Sequence, residues 1–138
     1  MASASPDPDP SALLDGARAL LDDCVVLAAA RGVGPGARPG WAITAAFYAA
    51  LHAISAYVLV RHNERVNPHQ DRSHWFKKYP ELAGNQLAFT SLKKQSEAFR
   101  YDFAPYTWDD ADRSVAAPRQ IVAKWAPQTR RRLPSGAE

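Results

Sequence analysis

The stretch WAITAAFYAALHAISAYVLV, Trp41 to Val60, runs for twenty residues without a Lys, Arg, Asp or Glu. A helix of that length is long enough to cross a bilayer, or it can be buried by other helices on most of its sides. Its polar residues decide between the two. At 100° per residue Thr44, Ser55, Tyr48 and His52 fall at about 0°, 20°, 40° and 80°, a single stripe, next to a face of Ile43, Phe47, Leu51, Ile54 and Val58. Lipid rewards no polar stripe on a lone span, and much of the remaining surface is Ala, a weak inserter. The segment therefore reads as the central helix of a bundle, and no membrane is expected among the partners.

The flanking segments supply the cover. MASASPDPDP alternates Pro with Asp and reads as a disordered lead-in, without the basic and apolar regions of a secretory signal. Ser11 is placed to cap a helix, SALLDGARALLDDCVVLAAARG. Its Leu13, Ala17, Leu20, Cys24 and Leu27, joined by Leu14, Leu21, Val25 and Ala28, follow three-and-four spacing. GVGPGARPG breaks it. Beyond the central helix, HNERVNPHQDRSHWFKKYP is polar, with one short helix expected from about Gln70 to Tyr79.

A third long helix is expected from Pro80 to about Asp102, with Leu82, Phe89, Leu92, Ser96 and Phe99 on its inner stripe. FAPYTWDD ends it. Thr107 with Asp110 three residues later is a capping-box variant that opens a fourth helix. Val115, Val122 and Trp125 form its inner face, and Pro118 should kink or restart it. APQTRRRLPSGAE reads as an unstructured basic tail, and neither an internal repeat nor an alternating strand pattern is present. The expected fold is all-α: an antiparallel up-and-down bundle of four main helices plus a short connecting helix. It occupies residues 11–126, between disordered segments at 1–10 and 127–138.

At 138 residues the chain is long enough for one domain with a real core. Its net charge of +3 suits an anionic partner without demanding one. Cys24 is the one cysteine, so no intrachain disulfide or Cys-based metal site can form, and a reducing, cytoplasmic compartment is expected. The same residue reads as a buried small hydrophobe rather than a reactive thiol. No metal is expected, because His62, His69 and His74 with Glu64 and Asp71 fit none of the compact ligand spacings. No cofactor is expected either: GVGPGARPG lacks both the P-loop Lys and a preceding strand.

Chemistry concentrates in RHNERVNPHQDRSH. His62, His69 and His74 stand there among Arg61, Arg65 and Arg72. Metal-free phosphodiester cleavage needs a proton acceptor or donor near neutral pH, which His provides. It also needs a fixed cation on the phosphate oxygens, which Arg provides with two parallel donors. His69 and Arg72, three apart, would point the same way on a short helix. They are the candidate catalytic pair, with Arg61, Arg65 and His74 as candidate substrate-binding residues. The plainer alternative is a solvated loop.

A second set lies in the helices. His52 is one turn after Tyr48 on the central helix, Ser96 sits on the apolar stripe of the third, and Arg100 follows it by one turn beside Tyr101. A buried Arg requires partners. A polar core network linking Tyr48 and His52 to Ser96, Arg100 and Tyr101 is therefore expected, in a supporting rather than catalytic role. The tail cations Arg130, Arg131 and Arg132 are candidates for contact with RNA or an acidic partner.

FYAALHAISAYV, the HQDR element after it and the close SEAFRY together resemble the small bacterial HEPN-domain proteins, over roughly Trp41 to Asp102. One residue is inserted in the close, which runs Ala98, Phe99, Arg100, Tyr101. The resemblance implies an all-α bundle that dimerises, and a superfamily rich in metal-independent ribonucleases of toxin–antitoxin and other defence systems. It also implies a catalytic Arg followed, after four to six residues, by His. Here Arg61 and His69 have seven residues between them, Arg65 and His69 three, and Arg65 and His74 eight. No pair fits that signature. Two functions are thus expected: an RNA-directed, metal-independent ribonuclease, or a non-catalytic homodimeric module that binds a partner protein encoded nearby.

Overall fold

The computed structural model describes residues 9–29, 38–64 and 72–133. It is an all-α bundle. In chain order the helices are α1 (Pro10–Ala29), α2 (Arg38–His62), α3 (Trp75–Lys78), α4 (Gln86–Asp102) and α5 (Trp108–Arg131), with 3₁₀ turns at Arg72–His74 and Pro80–Asn85. No strand occurs among the described residues.

α2 is the hub, packing along α1, α5 and α4. The uncharged run explains why. Its small residues Ala49 and Ala53 are fully buried against Ala17 of α1, a close approach only small side chains allow. Its large ones, Phe47, Ile54 and Val58, enter the main core with Trp75, Phe89 and Trp125. α2 is the one described helix long and apolar enough to cross a membrane, and 72% of its most apolar window is buried inside the bundle. Neighbouring helices take the place that lipid would fill.

Several helix ends differ from expectation. Asp9, not Ser11, caps α1: its carboxylate accepts from the Ser11 backbone N–H at 3.1 Å. Pro10 then occupies the first helical position, where a missing N–H costs nothing. On α1, Val25 is 53% exposed and does not join the inner stripe. The expected helix from Gln70 to Tyr79 is shorter, a 3₁₀ turn followed by α3. Tyr79 is extended at φ −114°, ψ 104°, as the residue before a proline prefers. The segment after it begins as 3₁₀ and turns α-helical only at Gln86.

The Thr107 capping box forms as expected, with Asp110 N–H donating to Thr107 Oγ1 at 3.1 Å and Thr107 N–H to Asp110 Oδ2 at 2.9 Å. α5 does not restart at Pro118, which is buried within a continuous helix. Nor does order stop at Ala126. α5 continues through the exposed Pro127 to Arg131, and Thr129 is fully buried with its hydroxyl donating to the Trp125 carbonyl at 2.8 Å. Proline removes one N–H, and here the turn it interrupts is held by Trp125 and Thr129 instead. The boundary expected at 126 therefore moves to the end of α5.

Gly16 lies inside α1, and a Cβ added there would meet only His52 Cδ2 at 3.8 Å, an ordinary contact. Gly16→Ala is expected to stabilise the protein by about 1 kcal/mol through helix propensity alone, measured as a rise in the urea midpoint. A drop would mean that α1 lies closer to α2 than described.

Candidate functional site

The predicted site residues fall into two places. The first is the end of the bundle where α2 stops, and it is organised by two carboxylates. Glu64 accepts from Trp75 Nε1 at 2.6 Å, from Lys78 Nζ at 2.9 Å and from the Tyr79 hydroxyl, with His74 Nε2 at 3.4 Å. Burial pushes its carboxyl up, but the donations from Tyr79, Lys78, Trp75 and His74 outweigh this and take it from 4.5 down to about 2. Glu81 accepts from His62 Nε2 at 2.6 Å and from the Tyr57 hydroxyl at 2.9 Å. Here too burial raises the carboxyl, and hydrogen bonds led by that from His62 bring it below its ordinary value. His62 stacks flat on Tyr79, centroids 3.8 Å apart, which joins the two carboxylate clusters.

His62 and His74 are thus engaged by carboxylates and hold the bundle end together. Arg61 is exposed on the last turn of α2. Arg65 and His69 lie outside the described residues. Sequence reasoning missed Glu64 and Glu81 as organisers, because their partners are brought to them by tertiary packing and no local pattern marks them.

The second place is the α2–α4 contact. Arg100 donates through Nε to Ser96 Oγ at 3.0 Å, and through Nη1 to Tyr48 Oη at 3.1 Å and Tyr101 Oη at 3.4 Å. Ser96 Oγ donates onward to Thr44 Oγ1 at 3.4 Å, and Thr44 to the Gly40 carbonyl at 3.0 Å. The guanidinium carbon lies 5.5 Å from the Tyr48 ring centre and 5.1 Å from that of Tyr101. Tyr48, Ser96, Arg100 and Tyr101 are therefore brought together, with Thr44 as an additional member that the helical stripe already contained.

Among the described residues no hydrogen bond joins His52 to this network. Its ring tilts against Tyr48 at 6.3 Å. Burial, then the nearby charge of Arg72, lowers its pKa. Arg72, on the 3₁₀ turn that leads into α3, has its own pKa lowered by burial against the pull of Tyr48. The sequence pairs it with His69, which lies outside the described residues.

The chemistry of this cluster is unusual for a helical core. Arg100 is half-buried, donates to three hydroxyls, and forms no ion pair among the described residues. A guanidinium held by neutral oxygens keeps its positive field for a ligand, whereas a carboxylate partner would cancel it. The His52 imidazole, packed against the same Tyr48 that accepts from Arg100, can accept a proton. Among the described residues no three His, Cys, Asp or Glu side chains group as metal ligands.

A cavity of about 490 Å³ between α1, α2 and α5 shares no lining residue with the cluster. Cys24 lines it, but burial raises that thiol to about 11 and its Sγ donates to the Ala42 carbonyl, which leaves it unreactive.

Comparison with known proteins adds no assignment: no family model, no curated protein and no solved structure matches this chain. The class defined by the fold is that of an all-α helical bundle.

Proposed function

We propose that this chain is a HEPN-like, RNA-directed ribonuclease that works without a metal ion, and that Arg100 and Arg72 hold the scissile phosphate. The observation supporting this is the half-buried Arg100, turned toward hydroxyls and lacking a carboxylate among the described residues, with His52 packed against the same Tyr48. In this reading the ribose 2′-oxygen attacks the adjacent phosphorus and the bond to the 5′-oxygen breaks. His52 accepts the 2′-hydroxyl proton, and His69, three residues before Arg72 in sequence, returns one to the leaving 5′-oxygen. The two guanidiniums stabilise the charge that builds on the phosphate oxygens.

The test is end-labelled single-stranded RNA incubated in chelator with the parent and with folded Arg72→Ala, Arg100→Ala, His52→Ala and His69→Ala proteins. The parent is expected to cleave, and each arginine variant to be slower by roughly tenfold to a hundredfold. Undiminished cleavage by both arginine variants would move the chemistry elsewhere. If the parent binds RNA without cutting it, phosphate binding survives and catalysis does not.

A second reading is a non-catalytic homodimeric module, favoured by the adjacent Val25 and Val26, 53% and 67% exposed on α1. A stable dimer in sedimentation together with silence in the RNA assay would carry that reading.

A further inference from the structure

We infer that Tyr101 and Phe103 form a stacking platform for unpaired bases beside Arg100, which makes the ligand single-stranded RNA rather than duplex; this rests on the RNA reading above. Both rings are among the most exposed large hydrophobic side chains of the described residues, at 69% and 81%. Tyr101 is held in place by Arg100, with its ring 5.1 Å from the guanidinium and its hydroxyl accepting from Nη1.

Phe103 is the more telling residue. It ends α4 in the left-handed conformation, φ 54°, ψ 37°, where glycine is the ordinary choice. The backbone bonds that this turn requires, Phe103 N–H to the Phe99 carbonyl and Ala104 N–H to the Ala98 carbonyl, both 3.1 Å, ask nothing of the side chain. A strained backbone that presents an apolar ring to water is unexplained by folding, and such outliers gather at binding sites.

The occupant follows from complementarity. One ligand must be anionic for the uncancelled guanidinium and flat and apolar for the exposed rings one and three residues after it. An unpaired nucleotide is both, and base stacking on aromatic side chains tolerates any sequence. In a duplex the base faces are already stacked on each other, so only the phosphates would remain to bind.

The experiment uses fluorescence anisotropy with a labelled 2′-O-methyl RNA strand, which lacks the nucleophile and cannot be cleaved. The same strand annealed to its complement, and an abasic strand with the same phosphates, serve as comparisons. The parent is expected to bind the single strand roughly tenfold or more tightly than either of them. Phe103→Ala should weaken binding of the base-bearing strand roughly fivefold or more and leave the abasic strand unchanged. Phe103→Gly should do the same while melting at a higher temperature than the parent, because glycine relieves the left-handed turn; that separates loss of the ring from loss of the fold.

Equal binding of base-bearing and abasic strands, with Phe103→Ala unaltered, overturns the platform and leaves the phosphate site standing. A loss that is the same on both strands also overturns it. Failure of the parent to bind any strand overturns the RNA reading and the platform together.

Discussion

Replacing Glu64 with alanine is expected to lower the unfolding free energy by about 3 kcal/mol at neutral pH, and to drop the melting temperature by roughly 10 °C. The reason is the number and kind of donors left behind. Trp75 is completely buried, and its indole N–H has its acceptor in Glu64 at 2.6 Å. Unpaired, that buried donor alone costs about 1–3 kcal/mol. Tyr79, which is buried, and Lys78 lose charge-assisted bonds as well.

The same carboxylate makes stability depend on acid. Its folded value of about 2 lies below the ordinary 4.5, so its contribution is complete above the ordinary value and fades as pH falls toward the folded one. Urea titrations at neutral pH and at about pH 3 should show the parent weakening markedly and Glu64→Ala weakening less. Glu81, lowered in the same direction, keeps some slope in the variant. Equal stability of parent and variant at neutral pH would show that Glu64 is only a surface clasp.

Gly40→Ala is expected to cost about 3 kcal/mol, at the upper end of overpacking penalties. The added Cβ would fall 2.1 Å from Phe99 Cδ1 and 2.5 Å from Cγ. A clash with the root of a ring cannot be relieved by swinging its tip aside, so the start of α2 must move away from α4. Helix propensity argues for the opposite sign, which makes the result decisive: a gain would mean that the α2–α4 contact is looser than described. The Gly40 carbonyl also receives the Thr44 hydroxyl, which links through Ser96 to Arg100. The substitution should therefore disturb the candidate RNA site as well as the core. Combining it with Phe99→Leu should recover part of the loss, a coupling that a double-mutant cycle reads directly.

What was legible beforehand follows from how local each signal is. The periodic stripe of α4 could be read because Phe89, Leu92, Ser96 and Phe99 recur at helical spacing, and all are buried. The Thr107–Asp110 box spans four residues and needs no knowledge of the fold. The grouping of Tyr48, Ser96 and Arg100 was legible because a cation on an apolar stripe has to find oxygens. The carboxylate clusters were not legible. Glu64 meets partners ten to fifteen residues on and Glu81 partners nineteen to twenty-four residues back, so the acids look like ordinary surface charges and the histidines like free reagents. The end of α5 was misjudged because APQTRRRLPSGAE reads as a basic tail, whereas the helix runs on to Arg131. Thr129, and Arg132 lying 5.9 Å over the Tyr57 ring, tie that end to the rest of the molecule.

The central position of α2 has a consequence for how the protein is made. Synthesis runs from the N-terminus, and of the three long helices that pack on α2 only α1 has been made when residue 62 leaves the ribosome. The flank that faces α5 then waits until Trp108 and the residues after it have been polymerised. Throughout that interval the nascent chain displays a twenty-residue uncharged helix with much of its surface still in water, the kind of transient exposure from which chains aggregate. Timing, as much as composition, governs whether the segment reaches its place.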